Sequence, residues 1–321
     1  MPLLSIVVPA YNEQENIAAA AAEVKKHMQQ ASIPYEMIFV DDGSSDGTWQ
    51  SIAEQAEQNS QIRGLRFSRN FGKEGAIFAG LKEARGDCMV VMDCDLQHPP
   101  ETIVEMYRIW EHNDVDVVEA RKSSRGKENI FYKGFSKLFY GLLKAVGKID
   151  LENCSDFKLM GRPVVDSLNA MPERQTFFRA LSSWVGYKTT VVYFQVPPRH
   201  AGTSKWSVGQ LFRYAIRSIS AFSTAPMQAV TICGFVFFVF AVVLGLQTLI
   251  SKLLGHSEAG FPTVILLLLI IGSIIMFSLG VIGYYIARIY DEVKFRPRYI
   301  VSETTDDKTR SSEDIQPPHH S

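Results

Sequence analysis

Apolar and polar positions alternate in blocks along the first half of the chain. Leu3-Leu4-Ser5-Ile6-Val7-Val8 is a short apolar run, partly β-branched and ended by Pro9 and Asn12, and an Ala-rich stretch from about Glu15 to Gln30 follows it. The pattern reads strand, loop, helix. It returns with Tyr35-Glu36-Met37-Ile38-Phe39-Val40 ahead of Asp41-Asp42-Gly43-Ser44-Ser45-Asp46-Gly47 and a helix from about Thr48 to Gln58. Ile62 to Ser68 gives a third strand, Lys73 to Arg85 a helix, and Cys88 to Met92 a fourth strand. Largely apolar strands joined by helices predict an α/β domain with a mainly parallel sheet covered on both faces. Ligands of such sheets sit at the carboxyl ends of strands, and each polar cluster named here falls directly after one.

The last third follows another pattern. No Asp, Glu, Lys or Arg occurs between Arg217 and Lys252, or between Glu258 and Arg288. Each run exceeds the roughly 20 residues that cross a bilayer core, so the pattern predicts a transmembrane hairpin over 226–290, with helices at about 226–251 and 261–287. Pro226 and Pro262 suit their first turns. Basic residues gather outside the hairpin (Arg199, Lys205, Arg213 and Arg217 before it, Arg288, Lys294, Arg296 and Arg298 after it), which places both ends in the cytoplasm. Between a first domain, 1–206, and the hairpin, apolar Val208, Leu211, Phe212, Ala215, Ile216 and Ile219 recur at helical spacing. An amphipathic helix over 207–225 lying in the membrane interface fits this, and the pattern equally allows a helix packed on the first domain. The tail, 291–321, turns polar and Pro-containing, predicting disorder from about 302.

Charge changes the picture little. With 33 Lys+Arg against 34 Asp+Glu there is no whole-molecule field that would recruit nucleic acid. Cys88, Cys94, Cys154 and Cys233 lack a metal-ligand spacing, which suits a reduced, cytosolic first domain. The opening Ile6-Val7-Val8 run is too short for a secretory signal.

The sharpest chemistry is Asp93-Cys94-Asp95-Leu96-Gln97, directly after the Val90-Val91-Met92 strand. Two carboxylates on a sheet rim, with no lysine or arginine next to them in sequence, call for a cation. Oxygen ligands suit Mg2+ or Mn2+, which complete their shells with phosphate oxygens and water, so a diphosphate donor fits. Alone, Asp-x-Asp is a weak signal; His98-Pro99-Pro100-Glu101 behind it narrows the reading.

Val8-Pro9-Ala10-Tyr11-Asn12-Glu13, Val40 to Thr48 and Asp93 to Glu101 together resemble the inverting family 2 glycosyltransferases, whose nucleotide-sugar domain is of the GT-A type. Asn70-Phe71-Gly72-Lys73-Glu74, Asp156-Phe157-Lys158-Leu159, Arg199-His200-Ala201-Gly202-Thr203-Ser204-Lys205-Trp206 and the hairpin narrow the resemblance to the polyprenyl-phosphate glycosyltransferases, among them bactoprenol glucosyltransferases and dolichyl-phosphate mannose synthase. It runs from about Leu4 to Val301. Cys94 departs from it, standing where bacterial relatives usually carry alanine, and adds a thiol that could ligate soft metals.

The resemblance implies that Pro9, Tyr11, Glu13 and Asp41, with Asp42 nearby, line the nucleotide base and ribose, and that Asp93, Asp95 and Gln97 hold metal and diphosphate. It places Asp156 on the acceptor side of the reacting carbon, as general base or as an orienter of cationic side chains. Arg199, Ser204 and Lys205 would face the lipid phosphate, with Arg121, Lys133 and Ser136 as further candidates; Asp95, Asp156, Arg199 and Lys205 would carry the catalysis. The implied reaction is one displacement at the anomeric carbon, from UDP-glucose or, in its place, UDP-N-acetylglucosamine or GDP-mannose, to undecaprenyl phosphate. The implied setting is the cytoplasmic face of a bacterial membrane, in cell-surface glycosylation, with a flippase, a downstream glycosyltransferase and further copies of the chain as candidate partners. A processive polysaccharide synthase would carry a Gln-x-x-Arg-Trp-type segment and more membrane helices, which this sequence lacks. A non-catalytic membrane scaffold would keep the hairpin without needing Asp93, Asp95 and Asp156 together.

Overall fold

The computed structural model describes residues 1–123, 155–173, 177–195, 225–254 and 260–306. Lys133, Ser136, Arg199, Ser204, Lys205 and the amphipathic stretch 207–222 lie outside them. The described residues form two compact units: a sheet domain that includes residues 297–306, and a unit holding the two long apolar helices.

The sheet domain is built as the hydrophobic pattern requires. Strands β1 (Leu4–Ala10) and β2 (Tyr35–Asp41) are buried along their whole length, as strands covered on both faces must be. Helix α1 (Gln14–Ala31) joins them and buries Ile17, Ala20, Ala21, Val24 and Met28, one helical stripe. It stops at Ser32, which turns left-handed (φ 56°), while the Ile33 N–H donates to the Met28 carbonyl at 3.0 Å. Helix α2 (Thr48–Gln58), β3 (Ile62–Phe67), α3 (Lys73–Glu83), β4 (Cys88–Val91), α4 (Pro100–His112) and β5 (Val117–Lys122) continue the alternation. Gly80 lets α3 lie directly on β1: a Cβ there would stand 2.3 Å from Val7 Cγ1.

Beyond these come β6 (Lys158–Gly161), α5 (Arg162–Asn169), α6 (Phe178–Trp184), β7 (Thr189–Phe194) and β8 (Val301–Thr304). The eight strands run β7-β5-β6-β4-β1-β2-β3-β8. The pairs β1–β2, β1–β4, β2–β3 and β5–β7 are parallel; β6, between β4 and β5, and edge strand β8 are antiparallel to their neighbours. This is the mainly parallel sheet of a GT-A-type domain. The reversed β6 matters for the site. Because it enters the sheet at the rim where β1, β2, β4 and β5 leave it, residues just before β6 meet residues just after β4.

Two expectations need correction. Pro9 does not end the first strand: β1 continues to Ala10, with Pro9 opposite Val40 on β2 and beyond the last β4 pair, Val7 opposite Val91. Nor is the chain disordered at 302: residues 302–306 are ordered, and 307–321 lie outside the described residues. Val301–Thr304 pairs with β3, and Arg66–Glu303 (2.6 Å), Arg63–Asp306 (3.2 Å) and the Trp49 Nε1–H bond to Glu303 Oε2 (2.9 Å) hold it. Low hydrophobicity misleads here, because an edge strand is secured by main-chain bonds and cross-strand charge pairs without an apolar face.

In the second unit, α7 (Ala225–Leu253) and α8 (Phe261–Val293) are long and apolar enough to cross a membrane. Their windows Val230–Gln247 and Ile270–Val293 have mean hydropathy 2.4 and 2.0 and are not buried within the protein. Surfaces this apolar, left uncovered, suit contact with lipid and associate the chain with a membrane. Helix α8 runs past the expected 287 to Val293, carrying Arg288, Asp291 and Glu292 on its last turns.

Candidate active site

The strand register assembles the centre of the site. On the β4–β6 ladder Val90 stands opposite Leu159, and continuing that register three residues brings Asp93 level with Asp156. Two carboxylates brought level at adjacent strand ends repel unless a cation lies between them. That cation is Lys73. Its Nζ is 2.6 Å from Asp93 Oδ1 and 2.9 Å from Asp156 Oδ2. Arg179 on α6 grips Asp156 from the other side with two bonds, Nε to Oδ1 at 2.7 Å and Nη2 to Oδ2 at 3.0 Å.

Burial alone would push the Asp156 carboxyl up, since its side chain is 7% exposed. Lys73 and Arg179 overcome that and hold it well below the usual carboxylate range. Burial likewise opposes the Asp93 charge, and Lys73 outweighs it, lowering the carboxyl. Lys73 is raised in turn by Asp156 and Asp93 against its own desolvation. One neighbour goes the other way. Glu74, half-buried near Asp156 and accepting the Phe178 N–H at 2.8 Å, is pushed up to about 7, first by desolvation and then by the Asp156 charge.

Local chain geometry explains how Lys73 arrives there. Asp42 accepts the N–H groups of Phe71 (2.6 Å) and Gly72 (2.9 Å), and Gly72 (φ 99°) turns the chain into the first residue of α3, which is Lys73. Asp42 thus anchors the Asn70–Lys73 loop, and its carboxyl is raised by burial and by the adjacent Asp41. Gly43 (φ 67°) makes this close packing possible: a Cβ would meet the Arg69 carbonyl carbon at 2.4 Å.

Asp93 to Gln97 form a tight turn in which Asp95 Oδ1 accepts the Gln97 N–H at 3.1 Å and Leu96 is left-handed (φ 58°). The Asp93 N–H donates to His98 Nδ1 at 3.0 Å, so the imidazole proton sits on Nε2. Stacked on Phe157 at 4.6 Å and buried, His98 has a lowered pKa, principally from desolvation, and supports the turn as a neutral ring. Two carboxylates and an amide oxygen in one turn fit a Mg2+ or Mn2+ ion that keeps phosphate and water ligands; among the described residues no larger His/Cys/Asp/Glu cluster could hold a metal. Cys94 supplies no ligand. Its side chain lies in the core, and burial keeps the thiol protonated well above its usual range.

The other strand ends form a second group. Asp41, fully buried at the end of β2, accepts the Ser44 N–H at 2.9 Å through Oδ1, while Oδ2 accepts no hydrogen bond and lies 3.5 Å from Arg66 Nε. Asn12 laces the loops after β1 and β2 together, donating its N–H to Ser44 Oγ and accepting the Ser45 N–H through Oδ1, each at 2.9 Å. Glu13 donates its N–H to Thr48 Oγ1, and Tyr11 beside it is 45% exposed. Arg121, next to last in β5, has its Nε 3.4 Å from Glu119 Oε1, and Glu119 also neighbours the buried Lys158 at 3.9 Å.

The structure therefore gathers Asp93, Asp95, Gln97 and Asp156 at one rim position, and sets Pro9, Tyr11, Glu13, Asp41 and Asp42 at the ends of β1 and β2. Lys73, Glu74, Arg66 and Arg179 were not anticipated as site residues. Lys73 and Glu74 had a signal, since Asn70-Phe71-Gly72-Lys73-Glu74 stood out as a motif without an assigned role. Arg179 and Arg66 had none, being single arginines in ordinary helical and strand context.

Residues 5–168 match Glycosyl transferase family 2. An uncharacterized glycosyltransferase of Synechocystis sp. is 36% identical over 302 residues, covering 94% of this chain and 95% of that protein. The prophage bactoprenol glucosyl transferase homolog of Escherichia coli is 36% identical over 300 residues, 93% of this chain and 98% of its own length. The bactoprenol glucosyl transferase of Shigella phage SfII is 36% identical over 304 residues, with 94% and 98% covered. Among solved structures, the glucosyl-3-phosphoglycerate synthase of Mycobacterium tuberculosis superposes with a TM-score of 0.50 at 18% identity, over 69% of this chain and 81% of that one, a likeness of fold.

Proposed function

The chain belongs to glycosyl transferase family 2 and is a glycosyltransferase, and from that premise we propose that it transfers glucose from UDP-glucose to undecaprenyl phosphate with inversion at the anomeric carbon. Relatives named bactoprenol glucosyl transferase, matched over nearly their whole length, support the lipid acceptor and the glucosyl donor. The observation that carries the reading is the Asp93–Lys73–Asp156 bridge, which joins a candidate diphosphate turn to a cation-rich acceptor side at one point of the rim.

The residues divide the work. Tyr11 offers an aromatic face, Pro9 and Glu13 line the same strand end, and Asp41 Oδ2 is a buried acceptor for a nucleobase or ribose donor. Asp93, Asp95 and Gln97 would hold a Mg2+ or Mn2+ ion, which when bound supplies positive charge to the departing diphosphate. A lipid phosphate monoester, with a second pKa near ~6, is already ionised at neutral pH and needs no strong base. Asp156, held ionised by two cations, is a weak base; its work is to orient Lys73 and Arg179 toward the incoming phosphate. Arg121, Lys133, Ser136, Arg199, Ser204 and Lys205 complete the proposed acceptor cradle. The two apolar helices would span the membrane with the sheet domain and both ends in the cytoplasm.

The discriminating experiment offers the purified chain undecaprenyl phosphate with labelled UDP-glucose, UDP-N-acetylglucosamine or GDP-mannose and Mn2+. Label in the lipid extract from UDP-glucose above the others supports the donor assignment, and preference for another donor overturns it.

A further inference from the structure

Strand register aligns three charged residues in one row across the sheet. Asp41 on β2 is the partner of Arg66 on β3, and Arg66 is the partner of Glu303 on β8. Arg66 is shared between the two acids: its Nε lies 3.5 Å from Asp41 Oδ2 and its Nη1 2.6 Å from Glu303 Oε1. The other Glu303 oxygen accepts the Trp49 indole N–H at 2.9 Å, so the carboxylate is held at both ends. The stronger, shorter pairing is with Glu303, and the looser one leaves Asp41 Oδ2, which is buried, without a hydrogen bond. Residues 297–306 follow the second apolar helix in the chain, yet they reach the strand end that carries Asp41.

We propose that Glu303 is a positioning residue of the nucleotide pocket: by drawing Arg66 outward it leaves the buried Asp41 Oδ2 without a hydrogen-bond partner, an acceptor kept for the donor nucleotide. The inference rests on the reading of Asp41 as a nucleotide-binding residue. Without Glu303, the Arg66 guanidinium has one carboxylate left to pair with, and it closes onto Asp41 and occupies the free oxygen. An arginine on a carboxylate is readily bidentate, so the capture competes directly with ligand.

The test measures UDP affinity, with Mn2+, and the melting temperature of the full-length chain in detergent for wild type, Glu303→Ala, Glu303→Gln, Asp306→Ala, Arg66→Ala and Glu303→Ala/Arg66→Ala. Asp306 ties the same segment down through Arg63 and Arg85 and does not touch Arg66, so its loss reports the structural role of the segment alone. Glu303→Ala should weaken UDP binding about 5- to 10-fold, the scale of one charge-assisted contact. Glu303→Gln, which keeps the Trp49 acceptor but loses the charge, should fall between it and wild type. Asp306→Ala should lower the melting temperature with UDP affinity unchanged. The double variant should bind no more weakly than Arg66→Ala alone, because the captor is gone. Unchanged affinity in Glu303→Ala, or an equal loss in Asp306→Ala, overturns the inference; if Glu303→Ala does not fold, wild-type affinity in Glu303→Gln does so. A wild-type chain that binds no UDP overturns the nucleotide reading itself, and this inference with it.

Discussion

Replacing Lys73 with methionine tests the centre of the site, because it removes one charge while keeping most of the volume. The ammonium stands 2.6 Å from Asp93 and 2.9 Å from Asp156, and the side chains of the three are 43%, 32% and 7% exposed. At such separations a unit-charge pair is worth about 1.5 kcal/mol in water and about 6 at the effective dielectric of a protein surface. Lys73 is exposed enough that solvent screens much of this, whereas Asp156 is buried and keeps only Arg179 when the lysine is gone. A loss of about 2 kcal/mol at pH 7.5 is the balanced expectation. The sign with pH follows from Asp156. Its folded pKa lies below its unfolded one, so its stabilisation is present above the unfolded pKa and is lost as pH falls toward the folded value. Lys73→Met weakens that depression, so the gap between variant and wild type should narrow once pH falls below the ordinary carboxylate value of 3.8. Denaturant or thermal unfolding of the full-length chain in EDTA, followed by tryptophan fluorescence, gives the measurement. A gap that is absent at pH 7.5, or that persists undiminished into acid, would refute the claim that the ammonium balances these carboxylates.

Asp95→Asn should abolish transfer while leaving the chain folded, since it removes a proposed metal-ligand charge at nearly constant volume; wild-type turnover with an unchanged metal requirement would sink the assignment. Asp156→Asn should lower kcat by about 10-fold or more without altering the pH dependence once acceptor ionisation is controlled, whereas loss of the acidic limb of the pH–rate profile would identify a true general base. Glu74, with a folded pKa of about 7 against an ordinary 4.5, binds a proton longer folded than unfolded, so it makes stability fall as pH rises between those values. Glu74→Gln should flatten that decline, as read from melting temperatures between pH 5 and 8, and an unaltered slope would count against the assignment.

Much of the fold was legible because its strands are buried on both faces and its helices carry one apolar stripe. Ile6-Val7-Val8 and Met37-Ile38-Phe39-Val40 leave little choice of structure. What escaped was set by register and by long-range pairing. The reversal of β6, which carries Asp156 to Asp93, leaves no mark in the periodicity of Lys158–Gly161. The counter-ion Lys73 has no signal beside Asp93 in sequence, because the lysine arrives from the start of α3, aimed by Asp42 through two backbone bonds. The return of Val301–Thr304 to the sheet was hidden for a related reason: its anchors, Trp49, Arg63 and Arg66, lie far upstream in the chain.

Glycosyl transfer onto a lipid phosphate is the central claim, and one assay addresses it directly. The purified full-length chain is incubated with UDP-glucose labelled in the sugar, undecaprenyl phosphate and Mn2+, with lipid-bound label, released UDP and the anomeric configuration of the product measured together. The expected result is label in the lipid phase equal to UDP released, absent without undecaprenyl phosphate, in a β-linked glucosyl phosphate formed from the α-linked donor. UDP release without lipid-bound sugar, or an α-linked product, would contradict a single displacement by the lipid phosphate at this site.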